Sequence, residues 1–170
     1  MRATNSELLD RIYGQYCHKL YMYLLSLCRD PDTAEDLLQE TFLKALLTLP
    51  DSNTNIRSWL YIVARNLYYD RLREKRHYAD DADLDICPAD SSGQPLEKVL
   101  SDERNKLLYE ALSRLDRQKR EVLELQYFGG LSQLEISEIM GLRPGYVRVL
   151  ALRARREIRL WMEENGYDLP

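Results

Sequence analysis

Apolar residues recur every three or four positions through most of this chain, and this spacing restricts what it can fold into. The first run of the pattern consists of Leu8, Leu9, Ile12, Tyr16, Leu20, Tyr23, Leu24 and Leu27. Such spacing places side chains on one face of an α-helix, and the period of two expected for strands is rare here. Hydrophobic residues make up 45% of the 170 residues, enough to bury a core. We therefore expect an all-α fold.

Turn residues divide the N-terminal part into three helices. The first ends at Arg29-Asp30-Pro31, and either Thr33 or Asp32 is expected to cap the second. The apolar positions of the second helix are Ala34, Leu37, Leu38, Thr41, Phe42, Ala45 and Leu46, and the helix should end near Pro50. The segment DSNTN (51–55) is rich in turn residues and predicts a loop. A third helix is expected from about Ile56 to about Arg76.

The composition changes sharply after the third helix. Residues 79–103 contain eight acids and one base, a net charge of -7, against -4 for the whole chain. Two prolines, a glycine and a pair of serines add loop character. We predict a flexible acidic linker at 79–102 between two small helical domains, 1–78 and 103–170. Because the linker is so acidic, the overall charge of the chain does not show the basic character of the two domains.

The C-terminal domain is predicted to contain four helices. These are expected at Glu103 to Leu115, Asp116 to Tyr127, Ser132 to Met140, and from Pro144 onward. Ser132 and Glu135 have the spacing of a capping box. A short helix, a tight turn with a glycine, and a further helix together match the helix-turn-helix pattern.

The last helix contains GYVRVLALRARREIRL (145–160), with five arginines and one acid. At about 100° per residue, one arc of the helix is apolar and predicted to face the core: Val147, Ala151, Ala154, Ile158 and Trp161. The outward side consists of Gly145, Arg148, Val149, Leu152, Arg156 and Arg159, flanked by Arg153 and Arg155. Arg143 lies in the preceding turn. Because arginine binds phosphates and guanine edges, DNA binding is favoured over a merely solvated face. Val149 and Leu152 suit either thymine methyl groups or a protein partner.

Two further surfaces are indicated in the N-terminal domain. From Arg65 to Arg76 there are five bases and two acids, interleaved with aromatic residues, which suits single-stranded or melted nucleic acid. Taken singly, the aromatic residues are each expected to lie in the core; they are Trp59, Tyr61, Tyr68 and Tyr69. On the second helix, Asp36, Gln39 and Glu40 share one face and suit a basic protein partner.

Catalysis, metal binding and membrane insertion are all disfavoured. Neither His18 nor His77 joins the carboxylates in a metal-like spacing, so we expect no metal and no cofactor. The three cysteines, Cys17, Cys28 and Cys87, contain no CxxC pair and are expected to be buried free thiols. No apolar run is long enough to span a membrane, and the N-terminus lacks the apolar core of a signal peptide. These features favour a cytoplasmic location.

Three segments of the sequence resemble a known protein family. DTAEDLLQETFLKAL (32–46) and IRSWLYIVARNLYYDRLR (56–73) resemble region 2 of the extracytoplasmic-function sigma factors, the smallest class of the sigma-70 family. LDRQKREVLELQYFGGLSQLEISEIMGLRPGYVRVLALRARREI (115–158) resembles region 4 of the same family. The resemblance implies a non-enzymatic transcription initiation factor that takes core RNA polymerase to a subset of promoters and helps to open them. It also implies control by an anti-sigma factor.

The resemblance assigns roles to individual residues of both regions. Region 2 would dock on the clamp of the largest polymerase subunit, through the residues that match the family's contact positions: Asp36, Gln39 and Glu40. Region 4 would bind the flap of the second-largest subunit. The implied -10 set is Asn53, Asn55, Trp59, Arg65 and Asn66, with Asn66 on an unstacked base. The implied -35 set is Arg143, Arg148, Val149, Leu152, Arg153, Arg155 and Arg156, with Arg155 nearer the DNA backbone.

The recognition helix departs from the family pattern. Relatives commonly have Gly-Thr-Val-Lys-Ser-Arg-Leu where this chain has Gly-Tyr-Val-Arg-Val-Leu-Ala (145–151). One basic residue and the family's threonine and serine are therefore absent, and the promoter sequence of relatives does not transfer to this chain. The departure also leaves room for an inhibitor or an activator on this face.

Two other functions compete with this interpretation. A stand-alone helix-turn-helix regulator would bind its site without polymerase. A regulatory protein that sequesters a polymerase or sigma partner would use the acidic second helix but leave the arginine face unexplained. Transcription in vitro with core polymerase separates the three.

Overall fold

The computed structural model describes residues 4–48, 55–78 and 103–167. Within these ranges the chain forms seven α-helices and no strand, which confirms the predicted all-α fold. Two compact units are present, Met1–Pro95 and Leu96–Pro170. The predicted linker, 79–102, lies outside the described residues. No helix in the described part is both long and apolar enough to cross a bilayer.

Three helices form the first unit: α1 (Asn5–Cys28), α2 (Pro31–Leu47) and α3 (Ile56–Tyr78). Each of them packs against the other two. The largest fully buried side chains of this unit are Leu20, Tyr23, Leu24, Leu25, Leu37, Leu60 and Tyr61. The rings of Tyr23 and Tyr61 lie 5.3 Å apart between centroids, joining α1 to α3. The buried residues of α1 and α2 come mainly from the predicted apolar faces, as helical spacing requires.

The turn between α1 and α2 corrects the predicted helix cap. Asp30 is the N-cap of α2, and its carboxylate accepts hydrogen bonds from the backbone N–H (3.3 Å) and hydroxyl (2.5 Å) of Thr33. The predicted caps, Thr33 and Asp32, are both wrong. Pro31 occupies the first helical position, where its missing N–H costs nothing, so the helix begins earlier than expected.

Leu46 lies in α2 as predicted, but unlike the other apolar positions predicted for this helix it is exposed. On a regular helix Leu46 lies about 110° from the centre of the arc formed by the buried residues of α2. That angle turns the side chain away from α1 and α3.

Four helices form the second unit: α4 (Glu103–Ser113), α5 (Arg117–Tyr127), α6 (Gln133–Met140) and α7 (Pro144–Glu164). Asp116 and Ser132 cap α5 and α6, accepting from the backbone N–H groups of Lys119 and Glu135 respectively. Gly141 ends α6 in the left-handed conformation, with φ of 66°, which only glycine adopts without strain. This glycine lets the chain turn directly into α7.

Helix α7 packs on α4, α5 and α6. Val147, Ala151 and Ala154 are buried as predicted, and Ile158 and Trp161 are half-buried. Leu150 is buried as well, with 3% of its surface exposed, although the predicted inward arc did not include it. Its position lies about 60° from the centre of that arc, close enough for a long side chain to reach the core. Small residues at 151 and 154 allow the neighbouring helices to approach α7.

Candidate nucleic-acid and protein interfaces

The outward face of α7 is rich in arginine. Arg148, Val149, Leu152, Arg153 and Arg156 are all exposed on it, and Arg143 is exposed in the turn before it. The two apolar residues are far from buried, with 38% of Val149 and 53% of Leu152 accessible. Six side chains of the predicted -35 set therefore reach solvent from one helix and the turn that precedes it.

Arg155, the seventh residue of the predicted -35 set, is less exposed than the other six. Its side chain is half-buried, and Nη1 donates a hydrogen bond to Oε1 of Gln126 on α5, at 3.2 Å. On a regular helix this residue lies about 90° from the centre of the outward face. Its guanidinium thus contacts α5 and can meet DNA only at the edge of the interface.

Two further polar contacts fix α7 against α5. The hydroxyl of Tyr146 donates to Oε1 of Gln118 at 3.3 Å. The ammonium group of Lys119 bridges Glu157 on α7 and Asp116 at the start of α5. The hydrogen bond that the ammonium group donates to Glu157, followed by the one it donates to Asp116, raises the pKa of Lys119 above its usual value. Because Lys119 compensates Glu157, the single acid of 145–160, the arginine charge of the outward face is not offset.

The predicted -10 residues of α3 also lie on one side of their helix. Trp59, Arg65 and Asn66 fall within an arc of about 120°, and Tyr69, which was not in the predicted set, lies inside the same arc. Asn66 is exposed, and the two aromatic side chains are half-buried. The guanidinium carbon of Arg65 lies 4.8 Å from the centroid of the Tyr69 ring, in a cation-π contact. A polar amide, two partly accessible aromatic rings and an arginine are thus gathered on one surface.

The aromatic residues of α3 divide between core and surface. Tyr61 is buried as expected. Tyr68 is half-buried and donates a hydrogen bond from its hydroxyl to the carbonyl of Leu27 at 3.1 Å, which anchors α3 to α1. For Trp59 and Tyr69 the prediction of a core position is only partly right, because each keeps an accessible edge.

Of the two loop asparagines in the predicted -10 set, Asn55 has a structural role. Its side-chain oxygen accepts from the backbone N–H of Ser58 at 3.4 Å, and its carbonyl accepts from Trp59 N–H at 3.0 Å. Asn55 thereby caps α3 and sets the direction in which Trp59 and Asn66 project. Asn53 lies outside the described residues.

Helix α2 carries the predicted protein-binding residues and, on the same side, two exposed leucines that were not predicted. Asp36 and Gln39 are exposed, while the carboxylate of Glu40 pairs with Nη2 of Arg71 on α3 at 3.4 Å. Leu43 and Leu47 lie within the same arc of about 100° and are 55% and 73% exposed. Their i+7 and i+11 spacing from Asp36 was the signal that could have revealed them. The surface is acidic at one end and apolar at the other.

Family comparisons identify these units. Residues 12–78 match the Sigma-70 region 2 family, and residues 105–158 match the Sigma-70, region 4 family. The chain is 31% identical over 172 residues to ECF RNA polymerase sigma factor SigL of Mycobacterium tuberculosis, covering 96% of this chain and 94% of SigL. This chain is an ECF sigma factor of the sigma-70 family. Its α1–α3 unit is region 2, and α4–α7 provide region 4.

Other relatives of the sigma factor agree with this assignment. ECF RNA polymerase sigma factor BldN of Streptomyces coelicolor is 31% identical over 169 residues, which are 97% of this chain, and this chain spans 64% of the length of BldN. The solved structure of the sigma factor RpoE in complex with the anti-sigma factor NepR from Bartonella quintana is similar in fold. Its TM-score is 0.69 at 22% identity, covering 91% of this chain and 96% of RpoE.

The two thiols described in the sigma factor differ in burial. Cys28 is buried as predicted, and burial raises the pKa of its thiol to about 11, whereas Cys17 is only half-buried. Both are free, and Cys87 lies outside the described residues. Among the described residues, no group of three or more His, Cys, Asp or Glu side chains comes together to hold a metal ion.

Proposed function

We propose that this sigma factor binds core RNA polymerase, takes it to promoters with matching -10 and -35 elements, and helps to open the duplex. The observation that carries the proposal is the pair of surfaces on α3 and α7. The surface on α3 contains an amide and aromatic rings suited to unstacked bases, and the surface on α7 contains arginines suited to duplex DNA. The protein acts by binding alone, in the cytoplasm, and catalyses no reaction.

Region 4 would bind the -35 element through the outward face of α7. A recognition helix enters the major groove with its N-terminal residues near base edges. Arg148 and Arg153 are exposed in the first half of α7, where this geometry places them next to DNA. Arginine contacts to phosphates supply most of the affinity and make it depend on salt.

Region 2 would bind the -10 element in its melted form. Asn66 is the residue we assign to an unstacked base, because its amide is exposed and offers both a donor and an acceptor. Trp59 and the Arg65–Tyr69 pair lie beside it and provide faces for stacking. Asn53 and Asn55 are proposed to belong to the loop that shapes the base pocket.

Core polymerase would dock on α2, through Asp36, Gln39 and Glu40. The acidic end of this surface suits a basic segment, and the exposed Leu43 and Leu47 offer apolar area next to it. We assign this surface to the clamp of the largest subunit, and region 4 to the flap of the second-largest subunit. Since RpoE of Bartonella quintana is seen in complex with an anti-sigma factor, we propose that this protein is controlled in the same way.

Transcription in vitro from the promoters of its own genome, with core polymerase and with or without the protein, tests the proposal. We expect specific transcripts only when the protein is present. Asp36→Lys should abolish them by reversing the charge of the α2 surface, whereas Asp10→Lys, at an exposed acid on α1, should not. Binding to a promoter site without polymerase would indicate the stand-alone regulator instead. If the protein instead inhibits transcription that depends on another sigma factor, it is the sequestering protein.

A further inference from the structure

The buried residues of α7 fix which line of the helix points directly outward. Taking Arg148 as 0° and 100° per residue, the fully buried positions Leu150, Val147, Ala151 and Ala154 centre near 250°. The outward centre is therefore near 70°. The arginines at 148 and 153 lie at about 0° and 140°, at the two edges of the outward face and not at its centre.

The first three turns at the centre of the face are apolar or bare. Gly145 lies at about 60°, Leu152 at about 40° and Val149 at about 100°. A Cβ added to Gly145 would meet nothing within 4 Å, so packing inside the protein does not require glycine there. Its lack of a side chain instead leaves room for another molecule to approach α7 closely.

The charges around this apolar centre show which kind of molecule fits. Arg148 lies on one side, Arg153 on the other, and Arg156 one turn further along the helix, all exposed. The nearest acid on the helix, Glu157, is held by Lys119 on the side toward α5. A surface ringed by arginines complements a polyanion. In the major groove of DNA, the apolar group presented at base edges is the 5-methyl of thymine.

We propose that Val149 and Leu152 select the -35 element by packing against thymine methyl groups, with Gly145 allowing the helix to come close enough. The inference rests on the proposed function, since it requires region 4 to read a -35 element. Arg148 and Arg153, at the edges of the outward face, bind the DNA, and the apolar centre distinguishes thymine from cytosine at one or two positions.

Deoxyuridine tests this directly, because it differs from thymidine only by the methyl group. The preferred -35 element is first selected from randomised promoters, using full-length protein and core polymerase. Each thymine in it is then replaced by deoxyuridine, and initiation is measured. Burial of one methyl group corresponds to an effect of about two- to fivefold. We expect such a loss at one or two thymines, and no loss at the others.

Substitutions in the protein link the methyl groups to the side chains. Val149→Ala or Leu152→Ala should lower initiation on the thymine promoter by a similar factor and remove the effect of deoxyuridine at one position. Leu160→Ala is the matched control: Leu160 is exposed, but about 12 Å further along α7 than Leu152. It should keep the full effect of deoxyuridine. Gly145→Ala should weaken -35 binding without weakening the fold.

Three results would overturn the inference while leaving the proposed function intact. The first is a selected -35 element without thymine, and the second is full tolerance of deoxyuridine throughout the element. The third is an equal loss for Val149→Ala and Leu152→Ala on thymine and deoxyuridine templates, which would assign these side chains to a protein partner. Transcription that requires no -35 element at all would instead refute the role proposed for region 4.

Discussion

Leu150 and Leu152 are two residues apart on α7, yet the structure gives them opposite roles. Leu150 is 3% exposed and packs into the core of region 4, whereas Leu152 is 53% exposed on the outward face. The same substitution at the two sites therefore separates stability from recognition. Leu150→Ala should destabilise region 4, and Leu152→Ala should leave it folded.

The expected magnitudes follow from these exposures. Leucine to alanine removes three carbon atoms, worth about 2.4 kcal/mol at about 0.8 kcal/mol each when fully buried. The cavity left at Leu150 adds to this, so we expect a loss of about 3 kcal/mol in the free energy of unfolding. Leu152 is about half-buried and leaves no enclosed cavity, so its loss should be about 1 kcal/mol. The two variants should differ by about 2 kcal/mol.

Tryptophan fluorescence during urea unfolding measures this difference in the full-length protein. The chain has two tryptophans, Trp59 in region 2 and Trp161 on α7. In a Trp59→Phe background, Trp161 alone reports on region 4. If Leu150→Ala leaves too little folded protein to analyse, Leu150→Met keeps the volume and should cost less than about 1.5 kcal/mol. Equal destabilisation by the two alanine variants would refute the placement of Leu150 in the core and of Leu152 on the surface.

Three other measurements test separate parts of the structure. Asn66→Ala should slow promoter opening and relax -10 selection without changing affinity for core polymerase, since Asn66 is exposed on α3 and the proposed polymerase contacts are on α2; loss of polymerase binding would contradict its assignment to DNA. Arg153→Ala, at the edge of the outward face, should weaken binding to all -35 sequences alike and reduce the salt slope by about one phosphate contact, and a loss confined to one base position would show direct base reading instead. Cys28, whose pKa is raised to about 11 by burial, should be only about one part in a thousand thiolate at pH 8 and should resist alkylation in the folded protein, as measured by mass spectrometry. Modification of Cys28 as fast as in urea would show that the α1–α2 turn opens freely.

The helices could be predicted from the sequence because each depends on local spacing. Gly141 and the Ser132 cap act within four residues of the ends they define, and both were found in advance. The start of α2 was predicted wrongly for a local reason too: beside the predicted caps, Asp32 and Thr33, the chain has Asp30 just before Pro31, and its side chain can also cap a helix. The sequence gives no ranking among them until the preference of Pro31 for the first helical position is taken into account.

The details of the two interfaces could be predicted less completely, because they depend on contacts between residues far apart in the chain. The Glu40–Arg71 pair spans 31 residues, and the Arg155–Gln126 hydrogen bond spans 29. Neither partner can be chosen from helical spacing alone. These contacts restrain one residue of the proposed polymerase surface and one of the proposed -35 set.

The roles proposed for α7 assign affinity to the arginines and sequence choice to the apolar centre, and salt can distinguish the two. Contacts between arginines and phosphates release counterions, so the affinity of polymerase carrying this sigma factor should fall steeply as salt rises. A contact between Leu152 and a thymine methyl group involves no charge, so it releases no counterions. The ratio of initiation on thymine and deoxyuridine templates, measured at subsaturating protein, should therefore stay constant across a salt series in which affinity falls at least tenfold. A ratio that approached one as salt rose would show that the methyl effect acts through the arginines, and not through the apolar centre of the helix.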